Sequence, residues 1–114
     1  MKSFFRSFYY AWNGFRKAAT EERNIRVQLV VAILVIAAGF YFRITAGEWC
    51  ILLLCIALVI GFELLNMALE NLTDLIKPEH HPIAGKIKDI GASAVLFVSI
   101  ASTIIGLIIF WKYL

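Results

Sequence analysis

Four polar side chains recur along one short apolar segment of the chain, namely Glu63, Asn66, Glu70 and Asp74. In a helix, at about 100° per residue, these positions fall within roughly 60° of Glu63 and form one stripe, which we call the acidic stripe. Leucine, methionine and alanine fill most of the positions between them. Because carboxylates can bind Mg²⁺ or accept a proton from a hydroxyl, the stripe has the composition of a catalytic or ion-binding site.

The acidic stripe lies at the end of a segment that is apolar enough to enter a bilayer. A charged side chain near the bilayer centre costs about 2.5–3.5 kcal/mol, so such residues face the interior of a helical bundle and mark functional sites. Glu63 and Glu70 are separated by about 10 Å along a helix, which is too far for both to act on one atom. We therefore predict that Glu70 serves a metal ion and a nucleotide near the membrane surface, and that Glu63 serves a lipid hydroxyl deeper in the membrane.

The elements that carry these residues are predicted to be helices in a membrane. Of the 114 residues, 61% are hydrophobic, which exceeds the usual share in soluble domains and predicts one all-α integral membrane domain. A bilayer span needs about 20 residues. The segments at about 25–42, 49–72 and 88–111 are predicted to span, and no cleaved signal peptide is predicted ahead of them. At about 2–24, aromatic and basic residues at helical spacing predict an amphipathic helix on the membrane surface.

The distribution of Lys and Arg predicts the orientation of the chain. Six lie at residues 2–26, up to the start of the first predicted span, and three lie at residues 77–88, up to the start of the third, whereas only Arg43 and Lys112 lie on the opposite side. By the positive-inside rule, the N-terminus and the second connection are cytoplasmic. The Glu70 end of the acidic stripe is then on the side where nucleotides are. Because topology accounts for the net charge of +3, no nucleic-acid partner is predicted.

Two further glutamates lie near the ends of the predicted spans. Glu22 lies in a polar run just before the first span, at about the depth expected for Glu70, so these two carboxylates could bind one cation. Glu48 lies in a short external turn between the first and second spans. We predict that Glu48 is solvated and has no role.

The connection between the second and third spans is predicted to be polar and cytoplasmic, over residues 79–89. The helix before it should end at Lys77, because Pro78 disfavours helical geometry in the residue that precedes it. Adjacent His80 and His81 are not predicted to bind a metal by themselves, since neighbouring positions suit one metal poorly.

The third predicted span has small residues at four-residue spacing, as in the pairs Ser99/Thr103 and Ser102/Gly106. Such spacing permits close approach of helices within a bilayer. Because three helices cannot easily shield an acidic stripe alone, we predict a homo-oligomer in which the stripe faces a neighbouring subunit.

Two classes of function fit these residues. The chain has neither the glycine-rich phosphate loop nor the catalytic-loop motif of soluble nucleotide-binding enzymes. Paired carboxylates with an adjacent lysine can still support phosphoryl transfer. The alternative is a small proton-coupled transporter or channel subunit, for which intramembrane carboxylates are equally natural. The adjacent Lys88 and Asp89, and the shared depth of Glu22 and Glu70, favour phosphoryl transfer.

Two sequence patterns resemble a known family. The pattern Glu63-x-x-Asn66-x-Ala68-x-Glu70-x-x-x-Asp74, followed by Lys88-Asp89-x-Gly91-x-x-Ala94-Val95-Leu96, resembles the signature of the prokaryotic diacylglycerol kinase family. The N-terminal residues Tyr10, Trp12 and Gly14, and the run Glu22-Arg23-Asn24-Ile25-Arg26, are similar to its surface helix and first span. The resemblance covers nearly the whole chain.

The resemblance implies a homotrimeric lipid kinase of the bacterial inner membrane, with three spans per chain and composite sites between subunits. It implies that Glu63 is the catalytic base and that Asn66 orients this base or the substrate. Glu22 and Glu70 are implied to bind Mg²⁺ and to contact ATP. The residues implied to lie at the nucleotide are Tyr10, Glu79, His80, His81, Lys88 and Asp89.

The chain departs from the family pattern at two positions. Ser3 occupies the place of a family arginine that contacts ATP, which leaves Lys2 and Arg6 as candidates for that contact. Ala92 occupies the place of a family serine, and Ser93 follows it as the candidate lipid contact. The family acts on diacylglycerol or on undecaprenol, and the run that begins at Glu22 resembles the undecaprenol type slightly more.

Overall fold

The computed structural model describes residues Met1–Leu114 and contains four helices. They are α1 (Lys2–Glu21), α2 (Arg23–Phe42), α3 (Ala46–Ile76) and α4 (Pro82–Trp111). The last three are long and apolar enough to cross a membrane. This confirms the all-α fold with three candidate spans.

The break between α1 and α2 falls at Glu22, whose backbone is extended (φ −113°, ψ 117°). Its amide still donates to the carbonyl of Ala18 at 2.8 Å. From the next helix, Arg26 Nη1 donates to the carbonyls of Ala19 and Thr20 at 3.0 and 2.9 Å. These bonds satisfy carbonyls that the end of α1 leaves free, so the turn is fixed and presents Glu22 at the start of α2.

Helices α3 and α4 form an antiparallel pair joined by a short connection. Helix α3 ends at Ile76 with Lys77 as its capping residue, which confirms the predicted end before Pro78. Helix α4 begins at Pro82, six residues before the predicted start, so residues 82–89 of the predicted connection are helical instead. The reason is local, since His81 Nδ1 accepts from the amide of Ile83 at 3.1 Å and proline suits the first turn of a helix.

The opposite end of the α3–α4 pair is closed by a cluster around Glu48. Thr45 and Glu48 form a reciprocal capping box, which starts α3 three residues before its predicted start. The Tyr113 hydroxyl donates to Glu48 Oε1 at 2.6 Å, and Lys112 Nζ lies 2.8 Å from Glu48 Oε2. The side chain of Glu48 is only 14% exposed, so the prediction that it is solvated is wrong. We call these four residues the Glu48 cluster.

Most apolar side chains of the three spans remain uncovered by the chain itself. Within an apolar stretch of 18 residues in each candidate span, only 6–22% of the residues are buried. A small core of Ile44, Leu52 and Ile109 lies near the Glu48 cluster. The remaining apolar surface is available for lipid or for neighbouring chains.

Candidate active site

Helix α3 turns the acidic stripe inward and its leucines outward. Glu63 and Asn66 are 4% and 9% exposed, whereas Leu65 between them is 64% exposed. This matches the inward orientation predicted from the cost of placing a carboxylate in lipid. Glu63 and Asn66 are therefore enclosed by the chain's own helices, so the prediction that the stripe faces a neighbouring subunit is wrong for these two residues, whereas Glu70 is half-buried and Asp74 is exposed.

Glu63 occupies the centre of a polar group built from α2 and α3. The amides of Asn24 and Gln28 lie beside its carboxyl group, and the carboxylates of Glu22 and Glu70 are near enough to interact with it electrostatically. Sequence reasoning missed Asn24 and Gln28 as site residues. The available signal was their four-residue spacing, which places two amides on one face of α2.

Two buried amide oxygens of this group lack a hydrogen-bond partner within the chain. They are Gln28 Oε1 and Asn66 Oδ1. Most buried polar atoms in proteins are paired, and exceptions concentrate where a ligand or a functional constraint operates. The two oxygens therefore distinguish this group from an ordinary buried hydrogen-bond network.

Asn66 and Glu70 are joined directly, because Asn66 Nδ2 donates to Glu70 Oε1 at 3.3 Å. This distance is long for a hydrogen bond of this type. The two residues lie on successive turns of the same helix, which keeps their side chains close together. The bond restrains the carboxylate of Glu70, which is half-buried. Asn66 thus acts on Glu70 as well as lying next to Glu63 along the stripe.

Asp74 and Lys88 form an ion pair that connects α3 to α4, with Nζ 2.5 Å from Oδ1. Asp74 is the last member of the acidic stripe and is exposed. Lys88 therefore points toward α3, and one of the cations predicted for the nucleotide already has a partner in the chain.

A polar groove runs along another face of α4. It is lined by His80, Lys86, Asp89 and Ser93 with Pro82, Gly85 and Ile90. Three of the predicted site residues, namely His80, Asp89 and Ser93, are thus brought together, and Lys86 is an addition that sequence reasoning missed. Its signal was the spacing of residues 82, 86, 89 and 93 on one helical face.

The other predicted nucleotide residues lie apart from this groove. Tyr10 is exposed on α1. His81 caps α4 through Nδ1. Glu79 is exposed and lies 4.0 Å from Lys77.

The oxygen ligands around Glu63 fit Mg²⁺. No group of three or more His, Cys, Asp or Glu side chains that could hold a metal occurs in the structure. Mg²⁺ does not need such a group, because it is usually bound by one or two carboxylates and completes its shell with water and phosphate oxygens. Glu22 and Glu70 each interact electrostatically with Glu63, and they are the two carboxylates that the sequence analysis predicts for such an ion.

Comparison with known proteins defines the class of the molecule. Residues 9–110 match the family model described as "Prokaryotic diacylglycerol kinase". The match covers most of the chain, so the chain belongs to this family. It is an enzyme of the lipid kinase class, and nothing in the comparisons supports the transporter alternative.

Individual relatives agree with the family. The chain is 40% identical over 110 residues to the undecaprenol kinase of Bacillus subtilis, which covers 96% of this chain and 89% of that protein. It is 32% identical over 104 residues to the diacylglycerol kinase of Escherichia coli K12, covering 91% of this chain and 85% of that protein. It is 39% identical over 101 residues to the diacylglycerol kinase of Synechocystis, covering 88% of this chain and 58% of that protein.

Proposed function

We propose that the chain transfers the γ-phosphoryl group of ATP to the hydroxyl of a membrane lipid, with Mg²⁺ as cofactor. The observation that carries this proposal is the buried Glu63, which is surrounded by amides and has two further carboxylates nearby. Phosphoryl transfer to an alcohol needs a proton acceptor for the hydroxyl and charge compensation for the phosphates. Glu63 would supply the first, and Glu22 and Glu70 would hold the ion that supplies the second.

In this proposal Glu63 accepts the proton of the lipid hydroxyl, while Asn66 orients the carboxylates on either side of it. When bound, Mg²⁺ offsets the negative charge of the phosphates. Asn24 and Gln28 hold the carboxyl group of Glu63 in place, so that its side chain does not move freely in the site. General acid–base catalysis of this kind contributes about 10²–10⁴-fold to a rate.

The polar groove, which lies on a face of α4 other than the one that contacts Asn66, supports a nucleotide site. His80, Lys86 and Asp89 are exposed along it and can reach a ribose, base or phosphate. Lys88 contacts the nucleotide in this proposal by leaving its ion pair with Asp74 and pairing with a phosphate. His81, Glu79 and Tyr10 are assigned to the nucleotide by the family resemblance. Ser93 lies farthest along the groove into the span and is proposed to contact the lipid.

Undecaprenol is the proposed acceptor in preference to diacylglycerol. The run from Glu22 to Arg26 resembles the undecaprenol type of the family, and the Bacillus subtilis relative named for undecaprenol is 40% identical to this chain, against 39% and 32% for the two relatives above that are named for diacylglycerol. Both observations point to the same acceptor.

The same proposal includes a homotrimer in the bacterial inner membrane, with the N-terminus and the active site on the cytoplasmic side. Support comes from the large uncovered apolar surface of the spans and from the excess of Lys and Arg on one side. Exposed aromatic residues along α1, including Phe4, Phe8 and Trp12, support its assignment as a helix on the membrane surface.

The experiment offers undecaprenol and diacylglycerol in parallel to the purified protein in mixed micelles with Mg²⁺-ATP, and measures the phosphorylated lipid. We expect both to be phosphorylated and undecaprenol to have the higher kcat/KM. A higher kcat/KM for diacylglycerol contradicts the assigned acceptor, and no product with either lipid contradicts the proposed reaction.

A further inference from the structure

Gly91 of α4 lies directly opposite the buried carboxamide of Asn66 on α3. A Cβ atom at this position would lie 2.5 Å from Asn66 Oδ1 and 3.4 Å from Leu69 Cδ1. Real Cβ atoms essentially never approach another heavy atom within 3.0 Å, so any side chain here would displace Asn66. Helix α4 can approach Asn66 this closely only because residue 91 is glycine.

The carboxamide of Asn66 is oriented by its contact with Glu70. A carboxylate only accepts hydrogen bonds, so the nitrogen end of the amide must face Glu70 Oε1. The oxygen end is then turned toward Gly91, where it is buried and has no hydrogen-bond partner. The small surface of Gly91 is therefore what accommodates the amide in the orientation that restrains Glu70.

We propose that Gly91 is a positioning residue for the metal site, because its missing side chain lets Asn66 hold Glu70 in the orientation in which this carboxylate binds Mg²⁺. The inference rests on the function proposed above. Gly91 touches neither the ion nor the substrate and acts only through Asn66 and Glu70.

Gly106 provides a matched control on the same helix. The sequence analysis names Gly106 among the small residues that permit close helix approach, but within the chain a Cβ atom at Gly106 would meet nothing within 4 Å, in contrast to Gly91. Replacing either glycine by alanine favours the helix to the same degree. A difference between Gly91→Ala and Gly106→Ala therefore reports the contact with Asn66 and not the change in helix propensity.

The test uses four variants, namely Gly91→Ala, Gly106→Ala, Asn66→Ala and the double variant Gly91→Ala/Asn66→Ala. Two quantities are measured. One is the Mg²⁺ concentration that gives half-maximal lipid phosphorylation. The other is binding of Mn²⁺, followed by its electron paramagnetic resonance signal, with a non-hydrolysable ATP analogue and no lipid acceptor.

We expect Gly91→Ala and Asn66→Ala each to raise the required Mg²⁺ concentration and to weaken Mn²⁺ binding by about tenfold, as loss of a group that supports a metal ligand does. Gly106→Ala should stay within about twofold of wild type. The double variant should be no worse than Asn66→Ala, because alanine at position 66 leaves room for a methyl group at position 91.

Wild-type metal dependence in Gly91→Ala, or losses that multiply in the double variant, would overturn the inference. If Gly91→Ala does not fold, the Asn66→Ala variant tests the inference instead. Unchanged Mn²⁺ binding in Asn66→Ala would mean that the amide does not restrain the metal ligand and would overturn the inference. Lack of lipid phosphorylation by the wild-type enzyme would instead refute the proposed reaction, so the two failures are distinguishable.

Discussion

At the residue scale, the chemistry depends on a few polar groups that the fold removes from lipid. Glu63 and Asn66 are buried, and the amides of Asn24 and Gln28 complete their surroundings. A carboxylate placed among amides is held in a defined position, whereas one on a lipid-exposed face would move toward the interface. The fixed position is what allows one carboxylate to act on a hydroxyl while others hold a cation.

The first prediction concerns the proposed metal ligands. Glu70→Gln and Glu22→Gln each remove one anionic oxygen ligand while keeping the size of the side chain. We expect each to raise the Mg²⁺ concentration for half-maximal activity by at least about tenfold, because metal affinity falls by such factors when even a supporting residue is lost. Mg²⁺ titration of lipid phosphorylation measures this.

The control for these variants is Glu21→Gln, which makes the same change at an exposed residue next to Glu22. Its Mg²⁺ dependence should equal that of wild type. An equal effect of Glu21→Gln and Glu22→Gln would mean that general membrane-surface charge, and not ligation, sets the requirement for the ion.

A second prediction separates the two roles open to Lys88. The exposed ion pair with Asp74 contributes only about 0.2–1 kcal/mol, so its loss alone should hardly change stability. If Lys88 also contacts the nucleotide, Lys88→Ala should raise the KM for ATP several-fold more than Asp74→Ala does. Steady-state kinetics with both variants measure the difference, and equal KM values for ATP would leave Lys88 with a purely structural role.

Sequence reasoning found Glu63, Asn66 and Glu70 because they share one helix, so their relative placement follows from helical geometry alone. It missed Asn24 and Gln28 because their role depends on which face of α2 packs against α3. Similarly, the adjacency of Lys88 and Asp89 in the sequence could not show that the first pairs with Asp74 and the second faces the groove. These placements depend on contacts between helices.

At the element scale, α3 and α4 are fastened at both ends of their pairing. The Asp74–Lys88 ion pair lies at one end and the Glu48 cluster at the other. Between them, Gly91 allows α4 to approach the acidic stripe. The pair therefore forms a frame that fixes the depth and rotation of the stripe, and α2 adds the amides.

The Glu48 cluster gives a prediction about alkaline pH. The hydrogen bond from the Tyr113 hydroxyl to Glu48 is the main cause that raises the pKa of this hydroxyl above its ordinary value of 10.0. The hydrogen bond of Lys112 to the same carboxylate raises the pKa of Lys112 above 10.5. A group whose pKa is raised on folding stabilises the fold fully below its unfolded pKa and loses that contribution as pH rises through the folded pKa. The contribution of the cluster should therefore be present up to about pH 10 and be lost above it.

Thermal unfolding in detergent at pH values from 8 to 12 measures this dependence. We expect the wild-type Tm to fall steeply above pH 10 and the Glu48→Gln variant to start from a lower Tm and to fall less over the same interval. Parallel curves for the two proteins would show that the Glu48 cluster does not titrate as described.

Helix boundaries were predictable where a residue close in the sequence strongly restricts the backbone, as proline does. The end of α3 followed from Pro78. The early start of α4 was missed because a histidine cap is a weak sequence signal, although Pro82 follows it. The role of Glu48 was missed because its partners, Lys112 and Tyr113, lie at the far end of the chain, and only the packing of α3 against α4 brings them together.

At the scale of the whole molecule, a single chain covers little of its own apolar surface. Leucine and isoleucine side chains on all three candidate spans remain exposed. Lipid can cover much of this surface, yet the buried polar group around Glu63 includes two amide oxygens that the chain itself leaves unpaired. The proposed homo-oligomer would cover a further part of the apolar surface, whereas the two oxygens are already enclosed by the chain itself.

The corresponding prediction is the mass of the active particle. In mild detergent, light scattering corrected for bound detergent should give three chains of 12.9 kDa per particle. Lipid phosphorylation should follow the trimer across a size-exclusion column. A monomeric fraction with full specific activity would contradict a homotrimer with shared sites.

The central claim is that Glu63 accepts the proton of the lipid hydroxyl, and Glu63→Gln tests it most directly. The glutamine keeps the size of the side chain but cannot take the proton. In single-turnover measurements on the purified enzyme, we expect lipid phosphorylation to fall by about 10²–10⁴-fold while the affinity for Mg²⁺-ATP stays unchanged. Turnover that is retained, together with loss of ATP binding, would contradict the account and would place Glu63 at the nucleotide.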